Sequence, residues 1–230
     1  SIMSIPSDAR RWRAQLSSGA ELRQLYELKT ADQVEGIIWP ACLVLLHHLE
    51  QMDWRGKRVL ELGAGTGHLA VGLARLGAHV TATEGPGKGF ASLKAWAAQL
   101  LSEEPGGGLP LDTDNTRLGT GNSLGGSVDI RELWWGSEFS LHSEGDFDVI
   151  IMSELTYDVD CHDALLQTLQ SALKPGKVAW QIFVDRPFSL GFMMLLADAG
   201  FDVTQIEPKD TLGFDSECEL HMHCIHAPNK

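Results

Sequence analysis

The sequence predicts an α/β fold in which a mostly parallel sheet carries helices on both of its faces. Two observations support this prediction. Short apolar runs of strand length alternate along the chain with segments whose apolar residues recur at helical spacing. The run at residues 147–153 is also nearly continuously apolar, which is typical of a parallel strand covered on both faces. Strands that alternate with helices in this way favour a three-layer architecture.

In the first half of the chain, the predicted strands and helices alternate without interruption. Pro40 is well placed to begin the first helix, because the missing N–H is not needed there. Gly77 is positioned to end the second helix. In order, the predicted elements are a helix after Trp39-Pro40, a strand at 57–62, a helix at 69–76, a strand at 79–84 and a helix at 90–101.

In the second half, the pattern is first interrupted and then resumes. Residues 102–127 are rich in glycine and proline, and we predict a flexible insertion there. The predicted elements that follow are extended structure at 128–135, strands at 147–153, 178–184, 201–206 and 217–226, and helices at 165–173 and 188–199.

The last predicted strand alternates cleanly between two faces. Cys218, Leu220, Met222 and Cys224 share one face, while Glu217, Glu219, His221 and His223 share the other. Such alternation is typical of a half-covered strand, so we expect His221 and His223 on a solvated face. No recognisable set of metal ligands accompanies these histidines, and we predict no metal site.

Length, charge and cysteine usage bound the organisation of the chain. At 230 residues it suits a single domain, with an N-terminal extension of about residues 1–32 and the insertion at about 102–127. A net charge of −13 argues against nucleic acid as a partner, and no apolar run is long enough for a membrane span. The cysteines form no CxxC pair, which indicates a reducing, cytoplasmic environment, with the nucleus as an alternative. We expect a monomer.

A glycine-rich turn after the first predicted strand indicates a cofactor pocket. Residues 61–67 read ELGAGTG, and Glu84 ends the second strand, where an acidic group can bind ribose hydroxyls. A dinucleotide fingerprint would need a glycine at position 68, which is His68. Glu61 would also oppose a pyrophosphate, whereas a cofactor with a cationic amino-acid end tolerates it. We therefore favour S-adenosylmethionine over a dinucleotide or a plain strand–helix turn.

Several functional groups are predicted to meet at one edge of the sheet. Glu61, Glu84, Ser153 and Glu154 all lie at the carboxyl ends of predicted strands. Open α/β sheets bind their ligands beyond these ends. The shared edge is therefore stronger evidence for a site than the glycine turn alone.

These motifs resemble the class I, seven-strand S-adenosylmethionine-dependent methyltransferases, and more narrowly the methyltransferase-16 group of protein-lysine methyltransferases. The resemblance covers about residues 33–207 without the insertion. It rests on GIIWPA at 36–41, ELGAGTG at 61–67, LWWG at 133–136 and SELTY at 153–157. It implies a Rossmann-like three-layer sandwich with a seven-stranded sheet and an antiparallel last strand. This chain has Trp134 where the group often has aspartate, which leaves the substrate open.

The resemblance implies a set of site residues. For cofactor binding, these are Trp39, Glu61, Gly63, Gly65, Thr66, Gly67, Glu84, Trp135 and Ser153. Glu154 and Tyr157 match the D/E-x-x-Y signature of the group, and a helical turn would place both on one face, towards the target amine. Arg186 follows the fifth strand of the group's sheet, where many members carry an arginine, and completes the predicted catalytic set.

The chemistry expected of such a site is simple, and other functions stay open. A lysine amine must lose a proton before it accepts a methyl group, and desolvation favours that loss, so no strong general base is required. The leading prediction is a methyltransferase that acts on a protein lysine. The alternatives are an N-methyltransferase for a small amine, a non-catalytic cofactor-binding scaffold and an NAD-dependent oxidoreductase.

Overall fold

The computed structural model describes residues 13–15, 21–23, 39–102, 109–110, 116–121, 123–137, 146–186, 188–208, 211 and 219–228. The strands are β1 (Arg13–Gln15), β2 (Glu21–Arg23), β3 (Arg58–Leu62), β4 (His79–Glu84), β5 (Leu109–Pro110), β6 (Arg117–Gly119), β7 (Ser127–Glu132), β8 (Val149–Ser153), β9 (Val178–Val184), β10 (Asp202–Gln205) and β11 (Leu220–His226). The helices are α1 (Pro40–Leu49), α2 (His68–Arg75), α3 (Lys88–Ser102), α4 (His162–Ala172) and α5 (Gly191–Asp198), and a 3-10 turn spans Val159–Cys161.

The strands form a nine-stranded sheet in the order β10-β11-β9-β8-β3-β4-β7-β6-β5, and β1 pairs with β2 in a hairpin. The central strands β9, β8, β3, β4 and β7 are parallel to one another. The last strand, β11, is antiparallel to both of its neighbours. The predicted fold class is confirmed, but the sheet has nine strands where seven were expected, because β5 and β6 extend it beyond β7. We call the edge at which the parallel strands end the carboxyl rim.

Two apolar cores lie on opposite faces of this sheet. Helices α1, α2 and α3 pack on one face, against side chains such as Val59 and Ile151. Helices α4 and α5 pack on the other face, against Leu60 and Ile150. Successive side chains of a strand point to opposite faces, so both cores draw on the same strands. No helix in the described ranges is both long and apolar enough to cross a bilayer.

The insertion departs from the prediction. Residues 102–127 were expected to form a loop, but β5 and β6 lie within them and pair antiparallel beside β7. They are too short to show a periodic pattern, which is why the sequence did not reveal them. Within this segment, residues 103–108, 111–115 and 122 lie outside the described residues. So do most of residues 1–32 and Gly36–Ile38 of the quoted motif.

The prediction for the histidines of β11 was wrong. His221 and His223 are buried, not solvated. Their rings stack on that of Phe183, from the neighbouring strand β9, at centroid distances of 5.3 and 5.7 Å. In the pairing of β11 with β9, His221 lies directly opposite Phe183, so this aromatic ring covers part of both histidine rings. Burial lowers the pKa of His223 to about 4, so this ring is neutral at physiological pH.

Candidate functional site

The glycine turn after β3 passes close to the tip of β4. Gly63, Gly65 and Gly67 have positive φ angles of 60°, 55° and 76°, a conformation that glycine adopts without strain. A Cβ atom at Gly63 would lie 2.5 Å from Cδ2 of Leu155, whereas one at Gly65 would enter open space. The turn therefore needs glycine for its shape, and at Gly65 it leaves the backbone accessible to a ligand.

Glu84 joins this turn to the end of β4. Its Oε2 accepts a hydrogen bond of 2.8 Å from the Gly65 amide, and its Oε1 accepts one of 3.0 Å from the Gly85 amide. A carboxylate offers about four lone-pair positions, so acceptor capacity remains for the hydroxyls of a ribose. Glu84 thus both fixes the turn and presents an acceptor at the carboxyl rim.

Glu61 lies beneath the same turn, and its environment is unusual for a carboxylate. The side chain is buried, the Ala70 amide of α2 donates to it, and Oε2 has no hydrogen-bond partner within the described residues. Burial, opposed by the Ala70 amide and reinforced by the charge of Glu84, raises the pKa of Glu61 to about 8. A buried oxygen without a partner is costly, so the site suits a cationic or hydrogen-bonding ligand group.

This raised pKa predicts how the stability of the ligand-free protein depends on pH. Folded Glu61 holds its proton up to about pH 8, while its unfolded value is near 4.5. The stability that Glu61 contributes is therefore complete below pH 4.5 and is lost as the pH rises towards 8, at up to about 1.4 kcal/mol per unit. Between pH 5.5 and 7.5 the loss amounts to about 2.5 kcal/mol, so relative to Glu61→Gln the melting temperature should fall by roughly 5–10 °C. Differential scanning calorimetry of both proteins measures this; parallel curves would contradict the assignment.

Three further residues predicted to bind the cofactor, Trp135, Ser153 and Thr66, differ in their contacts. The Trp135 ring lies over Gly63, with Cζ2 3.3 Å from the position of a Cβ atom there. Ser153 ends β8, and its Oγ is buried without a hydrogen-bond partner among the described residues. The Thr66 hydroxyl, in contrast, is 2.8 Å from Nδ1 of His68 and is engaged within the loop. Trp135 and Ser153 therefore stay candidates for contact with the cofactor, whereas the Thr66 hydroxyl is already engaged by His68.

Glu154, Arg186 and Trp39 form a connected group at the carboxyl rim. Glu154 is buried, and its carboxylate accepts hydrogen bonds from the Arg186 guanidinium and, at 3.2 Å, from the Val184 amide. The guanidinium lies 5.3 Å from the centroid of the Trp39 ring, which is a cation–π distance. Burial raises the pKa of Glu154, while Arg186 lowers it. The arginine thus connects an acid after β8 to the first residue before α1.

The predicted helical turn from Glu154 to Tyr157 is wrong. Glu154 has a φ of 59°, in the left-handed region, and this reverses the chain directly after β8. Its carboxylate consequently points inward, while Tyr157 is exposed at the rim. Partial burial, followed by the charge of Asp158, raises the pKa of Tyr157, so its hydroxyl stays protonated at neutral pH. The two side chains therefore differ in burial and do not share one helical face.

The structure also assembles a group that sequence reasoning missed. At the carboxyl end of β9, three side chains that could bind a metal ion come together, with one potential ligand atom each within 4.8 Å of the others: Asp185, Glu219 and His221. The pairing of Leu220 with Val184 brings the three together, and β-strand register cannot be read from their spacing along the chain. Asp185 and Glu219 are exposed, so they add negative charge to the rim beside Arg186.

Comparison with known proteins agrees with this geometry. Residues 41–188 match the family model described as "Methyltransferase domain". The zebrafish (Danio rerio) protein named "Protein N-lysine methyltransferase METTL21A" is 34% identical over 139 residues, which cover 60% of this chain and 55% of the relative. The mouse (Mus musculus) protein of the same name is 31% identical over 202 residues, covering 86% of this chain and 79% of the relative.

A solved structure extends the likeness to the fold. The glycopeptide N-methyltransferase MtfA in complex with S-adenosyl-L-methionine aligns with a TM-score of 0.55 over 88% of this chain and 100% of that chain. At 16% identity, this similarity concerns the fold alone. The chain spans little more than half the length of the zebrafish relative, 55%.

Proposed function

The chain belongs to the methyltransferase-domain family of class I S-adenosylmethionine-dependent methyltransferases, and from that we propose that it methylates the side-chain nitrogen of a lysine in a protein. One observation supports the proposal above all others. The Glu84 carboxylate at the tip of β4 holds the glycine turn after β3, and its charge acts on Glu61, whose buried Oε2 has no hydrogen-bond partner among the described residues. This supports a site in which one carboxylate would accept from hydroxyls and the other from an ammonium.

S-adenosylmethionine fits the groups that this pocket offers. Glu84 would bind the ribose hydroxyls, Glu61 would meet the ammonium, and Trp135 and Ser153 would lie near the adenine. The glycine turn would follow the methionine portion, because Gly65 leaves open space beside the backbone. When bound, the cofactor supplies an electrophilic methyl group on a sulfonium.

The chain's own residues would orient the acceptor and limit water. The Glu154 carboxylate is engaged by Arg186 and the Val184 amide, so it acts as a buried structural acid, not as a free base. Arg186 would then position Trp39 over the pocket. Tyr157 is exposed and protonated, and it offers a ring face and a hydroxyl to an approaching lysine amine. The amine loses its proton to solvent before it enters.

The names of the relatives support a lysine in a protein as the methyl acceptor. Both METTL21A proteins carry the words "Protein N-lysine methyltransferase" in their names. A small amine is the second candidate, because the exposed position of Tyr157 would also accept an amine that is not part of a protein.

We further propose a reducing, cytoplasmic or nuclear location, since Cys42, Cys161 and Cys224 form no disulfide with one another.

The test is a methyl-transfer assay in cell extract. The purified chain is incubated with extract and S-adenosylmethionine that is labelled in its methyl group, and protein and small-molecule fractions are counted separately. We expect label on protein, located on lysine by mass spectrometry of tryptic peptides. The Glu84→Ala variant, deficient in cofactor binding, serves as the negative control.

Each other outcome selects a different function. Label in the small-molecule fraction would indicate the small-amine enzyme. Absence of transfer by a chain that binds S-adenosylmethionine would indicate a non-catalytic scaffold. Binding of a reduced nicotinamide cofactor, detected by its fluorescence, together with no affinity for S-adenosylmethionine, would indicate an oxidoreductase.

A further inference from the structure

Exposed apolar side chains are concentrated beside the carboxyl rim. Tyr157 and Val159 follow β8, and Phe188, Leu190 and Met194 follow β9. We call these residues the rim patch. The side chains of Phe188 and Met194 are 75% and 70% exposed, so they contribute little to the apolar cores. Concentrated exposed apolar surface commonly marks a site of protein interaction.

The two segments of the rim patch belong to one surface that adjoins the proposed active site. The ring of His162, at the start of α4, packs edge-on against Phe192 of α5 at 5.5 Å. This contact holds the chain after β8 against the chain after β9. Arg186, between β9 and Phe188, bonds to Glu154 and lies over Trp39. Because β8 and β9 are neighbouring strands, both segments of the rim patch begin beside the group formed by Glu154, Arg186 and Trp39.

Phe188 is held in a costly conformation. Its φ of 75° lies in the left-handed region, where an aromatic residue is a rare outlier, at a cost of roughly 1–3 kcal/mol. Hydrogen bonds from the Ser189 amide to the Arg186 carbonyl, 3.0 Å, and from the Gly191 amide to the Phe188 carbonyl, 2.9 Å, maintain the turn. The exposed ring gains little packing in return. Strain that contacts among the described residues do not offset favours a contact between Phe188 and a binding partner.

The charge around the rim patch is negative. Asp158, Asp160 and Asp163 follow β8, Asp185 follows β9, and all four are exposed. Residues 154–163 contain no lysine or arginine, and residues 185–198 contain only Arg186, which is bonded to Glu154. A complementary partner surface must therefore be basic as well as apolar.

We propose that the rim patch docks the segment of the protein substrate that carries the target lysine, and that basic and apolar residues flank this lysine. The inference rests on the proposed function, because it takes the rim beside Arg186 as the side from which the acceptor lysine approaches. Beyond the proposed function, the inference specifies which kinds of residue flank the target lysine in the substrate. Apolar contacts to Phe188 and Met194 supply affinity, and the aspartates select against acidic neighbours.

The proposed preference for basic and apolar residues beside the target lysine can be tested by the binding of synthetic peptides, without any methyl transfer. One peptide carries a single lysine flanked by arginine and leucine; a second has glutamate in place of arginine; a third has serine in place of leucine. Fluorescence anisotropy with S-adenosylhomocysteine present measures each affinity. We expect both altered peptides to bind at least about tenfold more weakly, from lost charge complementarity and lost apolar contact.

Three variants assign the effect to the rim patch. Met194→Lys removes an exposed apolar group and repels the basic peptide, so the arginine–leucine peptide should bind about tenfold more weakly. Met52→Lys, the same change at an exposed methionine after α1, away from the rim, is the control and should leave affinity unaltered. Phe188→Gly relieves the strain of the left-handed backbone, so it should keep or raise the melting temperature of the protein. It should also weaken the binding of the arginine–leucine peptide, because the aromatic contact is lost.

The outcomes separate this inference from the proposed function. Equal affinity for the three peptides, or affinity that Met194→Lys and Phe188→Gly leave unchanged, would overturn docking at the rim patch even if the chain methylates lysine in extract. Selective peptide binding that these variants abolish, in a chain that transfers no methyl group, would support docking while the proposed activity fails.

Discussion

Replacement of Glu84 by alanine should weaken the binding of S-adenosylmethionine by about a hundredfold or more. The Gly65 and Gly85 amides both donate to this carboxylate, so its removal frees the glycine turn and also deletes the acceptor for the ribose. Charge-assisted hydrogen bonds of this kind contribute roughly 1.5–3 kcal/mol each, and about 1.4 kcal/mol corresponds to a tenfold change. Isothermal titration calorimetry at neutral pH measures the effect.

A neighbouring glutamate provides the matched control. Glu132 ends β7 directly opposite Glu84 in the sheet register, and it is exposed. Glu132→Ala removes the same charge from the same edge of the sheet, so it should leave cofactor affinity within about twofold, as expected of a surface substitution. If the two variants bind the cofactor alike, Glu84 has no specific role and the pocket assignment fails.

Arg186→Ala should destabilise the fold by about 3–5 kcal/mol, because it leaves the buried carboxylate of Glu154 without its charged partner. The cation–π contact with Trp39 is lost at the same time. Urea unfolding followed by tryptophan fluorescence measures the change. The double variant Arg186→Ala/Glu154→Gln should recover much of the lost stability, since a neutral amide is less costly to bury than an unpaired carboxylate.

An exposed ion pair calibrates this result. Arg131 pairs with Asp129 at 2.9 Å on the surface of β7. Arg131→Ala should change the stability by no more than about 1 kcal/mol, the usual range for exposed pairs. A similarly small effect of Arg186→Ala would mean that Glu154 is not dependent on the guanidinium. In that case, the connected group from Glu154 to Trp39 would not be a stabilising unit.

Much of the fold could be predicted because its signals are local. The bounds of β4 and β9 coincide with the predicted strands at residues 79–84 and 178–184, since turn residues and apolar runs mark both ends. The meeting of Glu84 with the glycine turn at one edge of the sheet was likewise predictable from Glu61, Glu84 and the glycines between them. These residues act through backbone conformation and strand ends, which spacing along the chain reports directly.

The features that sequence could not show depend on contacts between distant segments. Alternation in β11 identified which residues share a face, but only the stack of Phe183 on His221 and His223 reveals that this face is covered. The E-x-x-Y spacing suggested a helix, whereas the left-handed backbone of Glu154 turns its carboxylate towards Arg186. That pairing joins residues that are 32 positions apart.

The placement of β5 at the margin of the sheet has a consequence for solubility. An outer strand with a regular row of unpaired amides is a template for joining another sheet, and proteins must prevent this to stay dispersed. β5 has only the residues Leu109–Pro110, and its proline lacks an amide hydrogen altogether. At the opposite margin, β10 spans just Asp202–Gln205 and begins with an aspartate. Within the described residues, neither border strand presents a long row of unpaired amides to another sheet.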